Sequence, residues 1–272
     1  MPVWFPTRPI SRRAQPTFRC KETTILLRSN LNATIAATLL TWLAAGCHAN
    51  GGTRAEENGE RPELGLMGTI PIYWGEASGL EEVLAGGSAA HWARARLEAH
   101  YRLRPLDTLH EGSLAELDLL MLAQPRVLSA AENVALDRWV RDGGRLLLFA
   151  DPMLTGESRF AIGDRRRPQD VIMLSPILAH WGLGLEFDDA RSDDRPVVPT
   201  SGTPIPVNRA GTLVGREGDA DCRIDAEILA ECSIGRGRAL ILADAALLDL
   251  HDSDPGAPVA FDWLVAASFG PE

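Results

Sequence analysis

Two carboxylates, an amide and an indole are the side chains in this sequence best suited to form a polar site. Glu76 and Asp151 supply acid groups, Gln124 supplies an amide, and Trp74 supplies a flat apolar face. Gln124 and Asp151 directly follow apolar runs, and ligands of open parallel sheets gather beyond the carboxyl ends of the strands. This set suits a polar small molecule or a carbohydrate. The other interpretation, which we favour, is that Asp151 caps local backbone, Gln124 faces water and Trp74 belongs to the core.

Arginines form the concentrated positive charge of an otherwise acidic chain. Arg159 precedes a run of three, Arg165, Arg166 and Arg167. Because Pro168 predicts the start of a helix, these guanidinium groups could hold an anionic ligand there, or dock on acidic lipid headgroups or a partner. The alternative is a solvated loop whose arginines pair with neighbouring aspartates.

Metal binding and catalysis have little support in the motifs. The segment 156–160 lacks the second glycine of a nucleophile elbow, which makes Ser158 a poor nucleophile. Ligand spacing such as HExxH is missing around five histidines, His91, His100, His110, His180 and His251. We therefore expect no metal, no cofactor and no catalytic residue.

The best-defined elements are a strand, a helix and a second strand between Leu117 and Pro152. Residues 117–123 form an apolar run typical of a strand buried on both faces. Ser129 and Glu132 have capping-box spacing and predict a helix start. Gly143 and Gly144 end that helix, and residues 145–150 form the next buried strand.

The remaining chain alternates in the same way. Strands are predicted at 67–73, 101–106, 183–187, between 222 and 232, and at 238–243; helices are predicted at 88–100, 168–181 and 259–269. Segment 188–218 is rich in acids, prolines and glycines, which favours irregular or β structure. The prediction is an α/β fold with a mostly parallel, doubly wound sheet, flavodoxin- or amidotransferase-like, and a β-rich C-terminal portion.

The first 46 residues differ from the rest in charge and hydropathy. They hold six basic residues and one acid, leaving 21 basic and 36 acidic residues, so this leader carries +5 and the body −15. An uncharged run, 31–46, ends in small residues before Cys47, a secretory pattern. We predict a lipoprotein-type signal peptide at 1–46, lipidation of Cys47, a flexible linker at 47–66 and a single α/β domain at 67–272. A retained single-helix membrane anchor is the second interpretation, although a spanning helix needs roughly 20 apolar residues; a buried helix is the third.

Partners and redox state follow from charge and location. An acidic body is a poor binder of nucleic acid, because affinity for phosphates comes from clustered cations. In an extracytoplasmic location Cys222 and Cys232, ten residues apart, can form a disulfide across a hairpin or remain two buried thiols.

A family resemblance adds to this interpretation. The segment 117–152, with Ser129, Glu132 and the Gly143-Gly144 pair before a buried strand ending in Asp151-Pro152, resembles the GldG family. So does 174–183, a helix ending in a Trp-Gly turn. These gliding-motility-type accessory domains of ABC transport systems are similar in fold to class I glutamine amidotransferases. The chain departs from that enzyme class, since no cysteine stands at a strand-to-helix elbow.

The resemblance implies a non-catalytic accessory or ligand-binding component of an ABC-type transport system, lipid-anchored on the periplasmic or cell-surface side. Its implied partners are the ATPase and permease subunits of the transporter, with the membrane reached through Cys47. Two alternatives remain open: a hydrolase that acts on a polar or carbohydrate-like substrate through Asp151 and Glu76, and a structural scaffold.

Overall fold

A computed structural model describes residues 61–76, 81, 90–189, 197–199, 202–249 and 255–270. Contacts between Cα atoms assign Asn58–Glu272 to one compact unit. The predicted leader, Cys47, the helix start near Ser88 and His251 lie outside the described residues.

A seven-stranded sheet forms the centre of this unit. Its strands, in chain order, are β1 (Glu63–Gly68), β2 (Arg102–Pro105), β3 (Leu119–Ala123), β4 (Arg145–Phe149), β7 (Asp221–Asp225), β8 (Leu229–Ile234) and β9 (Gly237–Leu242). In space the order is β2-β1-β3-β4-β9-β8-β7. The first five are parallel, and β8 and β7 continue the sheet antiparallel to their neighbours. The predicted mixed α/β fold with a mostly parallel sheet is therefore confirmed at this level.

Burial of the central strands follows from their composition. Every residue of β3 is buried, and β4 is buried from Leu146 to Phe149. Strands that are apolar at successive positions need cover on both faces, which a doubly wound sheet provides. The helices are α1 (Trp92–His100), α2 (Glu111–Leu114), α3 (Ala130–Arg141), α4 (Ser175–His180) and α5 (Ala257–Phe269). Helices α1 and α5 pack together as one group, and α2, α3 and α4 as another.

Helix α3 begins and ends as its residues predict. The Ser129 hydroxyl accepts from Glu132 N at 3.2 Å, and the Glu132 carboxylate accepts from Ser129 N at 2.9 Å. Gly143 has φ of +121°, a conformation that glycine adopts without strain. At Gly144 a Cβ atom would lie 2.5 Å from the Trp139 indole, so the indole packs where a side chain would otherwise stand. The boundaries of this helix are set by local chemistry.

A second, two-stranded sheet lies outside the main one. Strand β5 (Leu183–Glu186) pairs antiparallel with β6 (Thr212–Gly215). In the main sheet, Cys222 of β7 and Cys232 of β8 are directly opposite and joined by a disulfide. The polar stretch after β5 therefore connects the two strands of the small sheet, and β7 follows β6 directly along the chain.

Two predicted elements were placed wrongly. The first strand was predicted at 67–73, but β1 spans Glu63–Gly68, inside the predicted linker; apolar Ile70 and Ile72 are buried in the turn that follows. The predicted helix at 168–181 forms only at Ser175–His180. Its first half is irregular because Gln169 N donates to Thr69 Oγ1 and Ile172 N to Asp151 O, so these amides are not available to a helix.

None of the helices in the described part of the chain has the length and hydropathy needed to cross a bilayer.

Candidate functional site

A polar cleft of about 510 Å³ opens at the carboxyl ends of β1, β2 and β3. Its walls come from the residues that leave those strands and from the loop 163–170, which crosses them. The polar side chains of the walls are Thr69, Asp107, Arg126, Asp164, Arg165, Arg167, Gln169 and Asp170. The cleft therefore combines strand ends, which position groups rigidly, with a loop that supplies charge.

The order of the strands in the sheet explains why the cleft lies at this edge. From β1 the chain moves through α1 to β2 on one side, and then returns past β1 to β3 on the other. Where successive connections diverge in an open parallel sheet, a crevice forms outside the strand ends, and ligands bind there. Gly68 at the end of β1 has no room for a side chain, since a Cβ atom would lie 2.0 Å from Ala123 O. The cleft is therefore at the switch point of the sheet.

Gln124 joins the strand ends beneath the cleft. Its Nε2 donates to Asp151 O and to Gln169 O, both at 2.9 Å, and its Oε1 accepts from Asp151 N at 2.8 Å. The backbone carbonyl of Gln124 accepts from Thr69 N and from Thr69 Oγ1 at 3.0 and 2.6 Å. With φ of +49° and complete burial, Gln124 holds the loop in place and is not exposed to a ligand.

The three consecutive arginines have three different environments. Arg166 donates to both oxygens of Asp164 at 3.0 and 2.7 Å and stacks on the Phe160 ring. This guanidinium lowers the pKa of the Asp164 carboxyl to about 2. Arg167 contacts Asp170 and the carbonyl of Phe160. Arg165 is exposed, lines the cleft, and makes no hydrogen bond or ion pair with the described residues.

Arg126 forms the opposite wall with a fully paired guanidinium. It donates to the Glu132 carboxylate at 2.6 and 3.1 Å and to the carbonyls of Asp107 and Val127. The hydrogen bond from Arg126, followed by those from Ser129 and Leu109, lowers the pKa of Glu132 to about 2 against the desolvation that raises it. Arg126 thus ties the strand end to the start of α3, and its charge is neutralised within the protein.

A buried pair of carboxylates lies at the ends of β4 and β9. Asp151 is 1% exposed and accepts from Met153 N at 2.7 Å and Ala245 N at 3.0 Å. Asp244 is fully buried and accepts from Ala246 N and Asn208 N. Burial raises the pKa of Asp151 to about 6, and burial together with the charge of Asp151 raises the pKa of Asp244 well above its ordinary value. Their oxygens are occupied by backbone donors, as in a structural clamp.

Trp74, Glu76 and Arg159 lie apart from the cleft. Glu76 Oε2 accepts from Arg159 N at 2.9 Å, and the Arg159 guanidinium donates to Glu76 O at 2.8 Å. Trp74 is 58% exposed and contacts the edge of Tyr73. Glu76 lines a separate cavity of about 30 Å³ with residues near Leu248. The predicted residues therefore form three groups, and Arg166 belongs to none of them because it pairs with Asp164 and does not line the cleft. The groups are the cleft residues Arg165 and Arg167, the buried supports Gln124 and Asp151, and this separate patch.

Some functional residues carried signals in the sequence that our predictions did not use. Asp244 ends the run Leu-Ile-Leu-Ala-Asp, which repeats the Leu-Leu-Phe-Ala-Asp that ends at Asp151. Two like runs in a parallel sheet place their aspartates side by side, as the register of β4 with β9 shows. Thr69, Asp107 and Gln169 had no such signal, because only the tertiary structure brings their segments together. Among the described residues no group of three or more His, Cys, Asp or Glu side chains is placed to hold a metal ion.

A protein-family model described as ABC-type uncharacterized transport system matches residues 75–204. This segment is just under half of the chain and contains β2 to β5, Arg126 and the whole loop that carries Arg165 and Gln169. No curated protein is similar in sequence.

Partial structural similarity, with TM-scores below 0.5, is found to several kinds of protein. The mmIFT52 N-terminal domain is 16% identical with a TM-score of 0.44, covering 75% of this chain and 96% of that one. A GH42 β-galactosidase from G. stearothermophilus is 14% identical with a TM-score of 0.45, but only 30% of its chain is covered, against 76% of this one. A ThuA-like protein from Bacteroides uniformis is 10% identical with a TM-score of 0.42, covering 78% and 94%. These similarities concern the fold alone.

Proposed function

We propose that this chain is a non-catalytic, extracytoplasmic accessory component of an ABC-type transport system, held at the membrane by lipid on Cys47. The observation that carries the proposal is the family match over residues 75–204. That segment supplies most of the walls of the polar cleft, so the family resemblance and the candidate ligand site fall on the same part of the chain.

A binding role fits the groups in the cleft better than catalysis does. Catalysis needs a nucleophile or an acid-base group free to reach substrate. The acids that burial perturbs, Asp151 and Asp244, have their oxygens occupied by backbone amides. Of the charged groups of the cleft, Arg165 and Asp107 have no ion pair among the described residues. A guanidinium is a poor acid or base because it stays protonated, and Asp107 is exposed to solvent instead of being held in a buried site. We infer that the cleft holds a ligand and that the transporter acts on it.

Copurification tests the transporter association. The full chain, tagged at its carboxyl end and produced in its native host, would be extracted from membranes in a mild detergent and analysed by mass spectrometry. We expect an ABC-type ATPase and its permease to be enriched with it. The control is an unrelated lipoprotein with the same tag. Equal recovery of both subunits with the control, or their absence from both samples, would contradict the proposal.

A further inference from the structure

We propose that the cleft binds a small polyhydroxylated anion, such as a sugar that carries a carboxylate or a phosphate, with Arg165 as the residue that recognises the charge. The inference deepens the ligand-binding part of the proposed function and rests on it. It assigns a ligand chemistry to the cleft at the ends of β1, β2 and β3.

The first step of the argument is the state of the charges. Arg126 is paired with Glu132, Arg167 with Asp170, and Asp164 with Arg166 outside the cleft. Arg165 alone among the arginines of the cleft has no acid within ion-pair distance in the described residues. A guanidinium donates five hydrogen bonds in a plane that matches a carboxylate or phosphate. The cleft thus offers one cation, Arg165, and one exposed carboxylate, Asp107, that have no ion pair among the described residues. This combination suits a ligand with one anionic group and with hydroxyls that donate to the carboxylate.

The second step is an unused acceptor. Gln169 lines the cleft, and its buried Oε1 has no hydrogen-bond partner among the described residues. A buried acceptor without a partner costs free energy, and such an atom in a native protein calls for an explanation. The Oε1 atom of Gln169 has almost no solvent-accessible surface, so a ligand hydroxyl would supply the missing donor only after the Gln169 side chain turns into the cleft. A hydroxyl suits this contact because it donates while its oxygen still accepts from other groups. Gln169 therefore favours a hydroxylated ligand over a plain inorganic anion.

The third step is the rigidity of the floor. Gln169 N donates to Thr69 Oγ1 at 3.0 Å, and Gln169 O accepts from Gln124 Nε2 at 2.9 Å. The backbone of the loop is therefore fixed to the ends of β1 and β3 whether or not the side chain of Gln169 has a partner. Groups held on a rigid support recognise a ligand with a smaller entropic cost. A volume of about 510 Å³ is in the range of small-molecule sites.

Binding of defined probes to the full-length chain tests the inference. D-glucuronate and D-glucose 6-phosphate would be titrated calorimetrically at about 0.15 M salt, with neutral D-glucose as the comparison. We expect at least one anion to bind at least about tenfold more tightly than glucose, a ratio that corresponds to one charge-assisted contact. Equal affinity for glucose, or no binding of either anion at about 10 mM, would overturn the inference.

A matched pair of variants separates recognition from bulk charge. Arg165→Gln and Arg166→Gln remove the same charge from adjacent residues, but only Arg165 lines the cleft. We expect Arg165→Gln to weaken anion binding at least about tenfold and Arg166→Gln to change it less than about threefold. Equal losses would show a general charge effect and would overturn the role of Arg165.

Gln169→Leu tests the hydroxyl contact with two readouts. The substitution keeps the backbone bonds to Thr69 and Gln124 and removes the unpartnered acceptor. We expect the midpoint of thermal unfolding without ligand to be unchanged or raised, while glucuronate binding weakens. Unchanged glucuronate affinity in this folded variant would exclude the Gln169 contact.

The outcomes of the two tests can be told apart. Anion binding without transporter subunits in the copurification would support this inference and reject the accessory role. Transporter subunits without anion binding would do the reverse. Binding to phosphatidylglycerol vesicles, abolished by Arg165→Gln but without affinity for either soluble anion, would indicate a lipid surface and overturn the inference.

Discussion

Asp151 and Asp244 show how one residue type can serve the fold instead of a reaction. Each follows an apolar strand, and each turns its carboxylate back to accept two backbone amides. Paired acids with raised pKa values are a signature of catalytic sites, but structural networks also perturb pKa values. Here the backbone donors favour the structural role, and the charged side chains of the cleft that have no ion pair among the described residues are Arg165 and Asp107.

The buried pair predicts a stability that falls as pH rises. The folded-state pKa of Asp151 is about 6, above the ordinary 3.8. The contribution of Asp151 to the free energy of unfolding is therefore largest below pH 3.8, where its carboxyl is neutral in both the folded and the unfolded protein. As pH rises through 6 the folded protein must bury a charge, and Asp151 alone then lowers the free energy of unfolding by about 3 kcal/mol. Asp151→Asn removes this penalty and adds an amide facing Ala245 N, a cost that does not depend on pH.

We therefore compare the free energy of unfolding of Asp151→Asn with that of the wild type at each pH. We expect this difference to shift by about 3 kcal/mol in favour of the variant between pH 4 and pH 8. Urea denaturation across this range measures the difference. Glu111→Gln, a substitution of an acid whose side chain is 70% exposed, serves as the control for net charge. A difference between Asp151→Asn and the wild type that stays the same at both pH values would contradict the assignment.

At the scale of elements, the strength of local signals decided which predictions succeeded. Helix α3 has its cap, its capping box and its terminal glycine within the chain segment itself, and it begins at Ala130 as Ser129 predicts. Segment 168–174 has a proline and apolar residues suited to a helix, but its amides donate to Thr69 and Asp151 instead. Hydrogen bonds between distant segments thus overrode a local helix signal.

Glu132 in the capping box of α3 should change stability with pH in the opposite direction to the buried aspartate pair. Glu132 has a folded-state pKa of about 2, below the ordinary 4.5, so its contribution is complete above pH 4.5 and is lost as pH falls towards 2. Glu132→Gln weakens the bonds to Arg126 and to the amides of Ser129 and Leu109. We expect it to lower the free energy of unfolding by about 1–3 kcal/mol at pH 7.

The decrease in the free energy of unfolding caused by Glu132→Gln should become steadily smaller as the pH is lowered from 4.5 towards 2. Chemical denaturation at intervals across this range measures it. Glu116→Gln, on a side chain that is 76% exposed, is the matched control and should change the stability at pH 7 by less than about 0.5 kcal/mol. A Glu132→Gln deficit of constant size down to pH 2 would show that the charge of Glu132 is not the source.

At the scale of the whole molecule, charge and composition separate a basic leader from an acidic body. The leader carries +5 and the remainder −15. The compact unit spans Asn58–Glu272, which leaves the residues up to Glu57 for export and anchoring in our proposal. The disulfide between Cys222 and Cys232 suits an oxidising compartment, where such bonds persist.

Lipidation of Cys47 is the prediction that belongs to this scale. Cys47→Ser should abolish labelling by radioactive palmitate and move the protein from the membrane fraction to the soluble fraction. Cys20→Ser, in the leader, is the matched control and should leave both properties unchanged. Retention of the Cys47→Ser protein in membranes without label would instead favour a spanning anchor.

The hydrophobic pattern and the capping residues by themselves determined the α/β class and the unit from Leu117 to Pro152. They did so because burial on both faces and helix boundaries depend on neighbouring residues. The composition by itself determined that a basic leader precedes an acidic body. The placement of β1, the non-helical form of segment 168–174 and the set of residues that line the cleft needed the tertiary structure. These features arise from hydrogen bonds between residues about 30 to 100 positions apart, such as Gln124 with Asp151 and Gln169 with Thr69. Arg165 was visible in the sequence as part of a charged run, but only the fold paired its neighbours and left this one guanidinium free at the switch point of the sheet.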